Sequence, residues 1–83
     1  MEHTAEWKMR LYLFEHGNGS TARVVLDTGA NILQGEGHAG QDADGRATPE
    51  IDTELAAGRA LTDLGSRLIE TAAEDDAAVR VEG

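Results

Sequence analysis

The stretch ILQGEGHAG, Ile32 to Gly40, decides the fold. Inside it GEGHAG, Gly35 to Gly40, spells G-x-G-x-x-G, the spacing of a turn that cradles a dinucleotide pyrophosphate. That chemistry needs the first glycine at the end of a parallel strand and a helix opening directly after it. It also needs a βαβ unit and an acidic residue about 20 positions on. Here the first helix signal after the glycines is Thr48, an N-cap residue, followed by Pro49. A helix starting there opens too late to point its amides at a phosphate held by Gly35–Gly40. The stretch reads instead as a strand, with Leu33, Gly35, Gly37 and Ala39 on one face. Three of those four lack bulk, so a helix laid over them can come close, backbone to backbone.

Two more strands precede it. In WKMRLYLFEH, Trp7 to His16, Trp7, Met9, Leu11 and Leu13 alternate with Lys8, Arg10, Tyr12 and Phe14. In TARVVLDT, Thr21 to Thr28, Ala22, Val24 and Leu26 alternate with Arg23, Val25 and Asp27. The short connections HGNGS and GAN make this an antiparallel meander. After the polar loop GQDADGRA, the segment from Pro49 to Glu74 reads as one helix, with a stop near Ala72. Glu50, Asp52 and Glu54 suit the positive end of its dipole. At 100° per residue, taking Ile51 as zero, Leu55, Ala57, Leu61, Leu64, Leu68, Ile69 and Ala72 share one broad apolar arc, with Gly58 and Gly65 near its centre. The expected packing therefore sets helix glycines over strand glycines, with Trp7, Met9, Leu11, Val24 and Leu26 filling the flanks. The fold class is α+β: a three-stranded antiparallel meander with one long C-terminal helix on one face. The single domain spans residues 6–74, between flexible termini at 1–5 and 75–83, the second with a short strand at its end.

Composition narrows the function. The 83 residues allow one domain. The chain has no cysteine, which excludes disulfides, thiolate metal sites and cysteine nucleophiles and fits a reducing compartment. No leader and no apolar run of about 20 residues is present, so the expected location is cytoplasmic, without a membrane partner. Net charge is −9, with eleven Asp/Glu against four Lys/Arg after residue 40. Such a surface disfavours direct nucleic-acid binding.

Known site patterns fail one by one. QDADG puts Asp42 and Asp44 at calcium-loop positions 3 and 5, but Gly40 falls at 1 and Ile51 at 12, where ligands belong. His3, His16 and His38 have no metal-ligand spacing. Ser20 and Ser66 lack a nucleophile-elbow context. On the helix, Arg59 with Asp63, and Asp63 with Arg67, have the spacing of surface ion pairs. The expectation is a protein that is not an enzyme, with no cofactor, no metal and no catalytic residue. One surface stands out. The sheet face away from the helix carries Lys8, Arg10, Tyr12, Phe14, Arg23 and Val25, together with Gln34, Glu36 and His38. It is the candidate interaction face. A meander also has two open edges, which pair readily with another copy, so a homodimer is expected.

Trp7 at the head of the first strand, Gly35, Gly37 and Ala39 in the third, and P-E-I-x-x-E-L-x-x-x-R-A-L-x-x-L from Pro49 to Leu64 resemble a small actinobacterial family of unknown function. The resemblance covers roughly residues 6–73. It implies a fold similar to double-stranded RNA-binding domains, dimers in some members and no known catalytic activity. It also implies membership of mycobacterial hypoxia and dormancy programmes, and a likeness to ribosome hibernation promoting factors. A ribosome or another protein partner follows from that resemblance alone. The family supplies no agreed functional residues. Its relatives carry basic residues and a proline after the third strand, where this chain has GQDADGRA.

Overall fold

The alternating segments form three nine-residue strands: β1 Lys8–His16, β2 Gly19–Asp27 and β3 Ile32–Gly40. The helix α1, Pro49–Glu82, follows. These elements come from a computed structural model that describes residues 3–40 and 49–82, with side chains described over 3–40 and 50–76. The strands pair antiparallel in the order β1-β2-β3. The register is unbroken across the sheet, with Leu11 opposite Val24 and Val24 opposite Gly35. Gly17 and Asn18 make the first turn, since His16 pairs with Gly19. In the second turn the Asn31 amide donates to the Thr28 hydroxyl at 3.0 Å, and the Gly29 amide to the Asp27 carboxylate at 2.8 Å. Short polar side chains satisfying local amides are what make these connections tight.

The helix sits on β2 and β3. Its seam is Ala56, Ala60 and Leu64, four apart on one stripe, packed on Ala22, Val24 and Leu26. Gly35 and Gly37 set its height. A Cβ on Gly35 would fall against the Ala60 carbonyl and 2.7 Å from the Leu64 amide nitrogen. A Cβ on Gly37 would meet the Ala56 carbonyl and lie 2.7 Å from Arg59 Cβ. Any side chain at either position lifts the helix off the sheet. The glycine motif is therefore a seat for a helix, in the middle of an antiparallel strand.

Three expectations need correction. Gly58 and Gly65 do not meet the strand glycines: a Cβ on either would touch nothing within 4 Å. The apolar arc misplaced the seam because Ile51, Leu55, Leu61 and Ile69 are apolar yet exposed, and they pull the arc's centre away from the weakly apolar Ala56 and Ala60. Next, Trp7, Met9 and Leu11 do not fill the core. The helix seated over β2 and β3 leaves β1 uncovered, and every residue of β1 is exposed. Finally, the helix does not stop near Ala72. It continues to Glu82, because no glycine or proline interrupts the chain between Gly65 and Gly83. The Thr48 cap and the Asp42 and Asp44 positions lie outside the described residues.

Candidate interaction surface

Alternation gives β1 two apolar surfaces. On the face away from the helix, Lys8, Arg10, Tyr12 and Phe14 stand opposite Asp27, Val25, Arg23 and Thr21 of β2. The register thus brings Lys8, Arg10, Tyr12, Phe14, Arg23 and Val25 onto one face. Arg23 bonds Glu36 at 3.1 Å, which neutralises it locally. Lys8 and Arg10 form no ion pair among the described residues. Beyond Phe14, the Thr21 hydroxyl lies between His16 Nε2 at 3.0 Å and His38 Nδ1 at 3.1 Å.

On the helix side, Trp7, Met9, Leu11 and Leu13 are 43–53% exposed. They floor an open valley beside α1. Leu61 and Leu68 lie on the helix flank turned toward that valley, a quarter-turn or so beyond the Ala56–Ala60–Leu64 seam. At one end Thr53 ties the helix down: its hydroxyl donates to Glu15 at 3.4 Å and accepts from the buried Ser20 hydroxyl at 3.2 Å.

The two sheet edges differ. Asp63 accepts the outward amide of Glu36 at 2.9 Å, and Arg59 donates to the outward carbonyl of His38 at 2.7 Å. Two helix side chains thus occupy the free groups of β3. Asp63 also takes a bond from Arg67 Nε at 3.2 Å, so of the two expected helix pairs only this one forms; Arg59 is spent on the strand. The Glu36 amide holds the Asp63 carboxyl below its ordinary value of 3.8, with Arg67 helping and partial desolvation opposing. Among the described residues the β1 edge has no such cover. Because Glu36 and His38 point outward, the residues of β3 between them bond to β2. The register then turns the backbone groups of Lys8, Arg10, Tyr12 and Phe14 toward β2 and those of Met9, Leu11 and Leu13 outward.

A profile of the Rv2632c-like family matches residues 5–82, nearly the whole fold just described. The chain belongs to the Rv2632c-like family. It is 34% identical over 73 residues to the uncharacterized protein Mb1767 of Mycobacterium bovis, covering 88% of this chain and 78% of that one. The uncharacterized protein MT1780 of Mycobacterium tuberculosis shows the same identity and coverage. This is a small family of unknown function with mycobacterial members.

In this Rv2632c-like chain no group of three or more His, Asp or Glu could hold a metal ion among the described residues. No helix among them is long and apolar enough to cross a membrane. An open depression of about 410 Å³ at one sheet end is rimmed by His16, Thr21, His38 and Arg59 among the described residues. Residue reading missed the capping pair Arg59 and Asp63. Their spacing signalled a helix-surface pair, and nothing in a one-dimensional pattern shows that a strand edge runs beneath. It also missed the exposed set Trp7, Met9, Leu11 and Leu13, since alternation marks an apolar face without saying what covers it.

Proposed function

We propose that this Rv2632c-like protein is a non-enzymatic, cytoplasmic interaction module that works as a homodimer. One observation carries the reading: β1 and Trp7 just before it leave six large apolar side chains exposed, four toward the helix side and two, Tyr12 and Phe14, on the far face. Contiguous apolar surface of this kind on a small domain marks a contact site. A role in stress or dormancy, and a fold likeness to double-stranded RNA-binding domains, rest on the family resemblance. The test is light scattering coupled to size exclusion. The wild type is expected at twice the monomer mass, and Leu11→Lys, Tyr12→Lys or Phe14→Lys shifts it toward monomer. A wild type that stays monomeric at high concentration removes the reading.

A second reading is supported by Lys8 and Arg10, which stand beside Tyr12 and Phe14 and form no ion pair among the described residues. Cations interleaved with aromatic rings on an open sheet suit stacked bases and phosphates. On that reading the protein is a ribosome- or RNA-associated factor of the hibernation type. It predicts co-sedimentation with ribosomes that is lost as salt rises and on Lys8/Arg10/Arg23→Glu. No binding at low salt eliminates it.

A further inference from the structure

We infer that two copies join β1 to β1 about a twofold axis at Leu11, making one continuous six-stranded sheet from two of three strands. The inference deepens the homodimer reading and rests on it. Three observations select the partner and the register.

The first is the edge. Among the described residues, the β3 edge is capped by Asp63 and Arg59, while the outward groups of Met9, Leu11 and Leu13 have no partner. An edge strand with no proline, bulge or inward charge is a template for another strand. A second copy offers the same edge, and antiparallel pairing of identical edges closes with twofold symmetry, so growth ends at two.

The second is charge. Centring the axis on Arg10 sets Arg10 against itself. Centring it on Met9 sets Lys8 against Arg10 twice. The Tyr12 axis places Met9 opposite Glu15, and the Leu13 axis places Leu11 opposite Glu15. The Leu11 axis has no cation facing a cation and moves Glu15 away from mid-strand, opposite Trp7 just ahead of β1: Lys8 faces Phe14, Arg10 faces Tyr12, Met9 faces Leu13 and Leu11 faces itself. Each cation then lies beside an aromatic ring, and each mid-strand apolar residue beside another.

The third is size. Beneath the helix the sheet carries Gly35, Gly37 and Ala22; on β1 it carries Trp, Met and Leu. With strands about 4.8 Å apart and each helix over β2 and β3, the two helix axes of the pair stand roughly 20 Å apart. That is about twice the 8–10 Å of directly packed helices. The large β1 side chains of both copies fill this valley, between walls carrying Leu61 and Leu68.

The chain has no native cysteine, so single replacements report the register cleanly. Leu11 would oppose its own copy at about 5.5 Å between Cα atoms, within disulfide reach. Leu11→Cys should cross-link to a covalent dimer under mild oxidation, and mixed Met9→Cys and Leu13→Cys should form the heterodimer. Leu13→Cys alone should stay uncross-linked. These positions are exposed, and circular dichroism is used to check that each variant folds. A dimer by light scattering with no Leu11→Cys cross-link, or with Leu13→Cys cross-linking to itself, overturns this register and leaves self-association standing. A wild type that is monomeric overturns both.

Discussion

Gly37 lies directly beneath the Ala56 carbonyl, so the backbones of β3 and α1 touch with no side chain between them. A methyl group there must push the helix away, and the helix seam of Ala56, Ala60 and Leu64 moves with it. Gly37→Ala is expected to cost about 1–3 kcal/mol, the range for overpacking a filled core. Gly37→Val should abolish cooperative folding. Urea denaturation followed by circular dichroism checks both, and an unchanged midpoint for Gly37→Ala would refute the seating.

The helix glycines should behave oppositely. Gly58 and Gly65 face open space, so an added methyl meets nothing and the helix gains propensity. Gly58→Ala should stabilise by about 1 kcal/mol, with Gly65→Ala similar and roughly additive. Thermal melts of the singles and the double measure this. A loss of stability at Gly58 would restore it to the buried face.

Asp63 makes stability depend on acid. Its carboxyl titrates below the ordinary value in the folded chain because the charged form accepts from the Glu36 amide and from Arg67. A depressed carboxylate contributes stability that is complete above the unfolded-chain pKa of about 3.9 and lost as pH falls through the folded value. Wild type should therefore melt above Asp63→Asn at pH 6. The gap should narrow steadily from about pH 4 downward. A gap that is constant between pH 6 and pH 2 would show that the charge contributes nothing.

The caps on β3 are expected to guard that edge against strand addition. With Arg59→Ala and Asp63→Ala combined, the amide of Glu36 and the carbonyl of His38 lose the partners that cover them. Both sheet edges are then open, and strand addition can proceed at each. Concentration-dependent species larger than a dimer are expected by light scattering, and each single variant should show less. A double variant identical in mass to wild type would mean that the caps do not protect the edge.

Part of this fold is legible residue by residue. The alternation of Val24 and Leu26 with Arg23 and Val25, the glycine-rich turns and the first-turn Pro49 each answer to rules spanning a few positions. So does the exclusion of a nucleotide cradle, because it needed only the distance from Gly40 to the first helix signal. The face shared by Lys8, Arg10, Tyr12 and Phe14 also follows from period-two geometry. The location of the helix seam does not. Apolar residues outnumber the positions that one sheet can cover, and the arc method cannot tell a buried alanine from an exposed leucine.

What this chain's residues determine alone is the order and the kind of its elements: three strands in a meander, then one helix, with local turns between the strands. What only the tertiary structure decided is the lateral position of that helix. Gly35 and Gly37 draw it onto β2 and β3, because backbone contact is reached only where no side chain intervenes. From that placement follow the capped edge at Glu36 and His38 and the uncovered strand from Lys8 to His16. Close approach at one edge of a narrow sheet leaves too little helix to cover the other, and no local pattern records where a second element will come to rest.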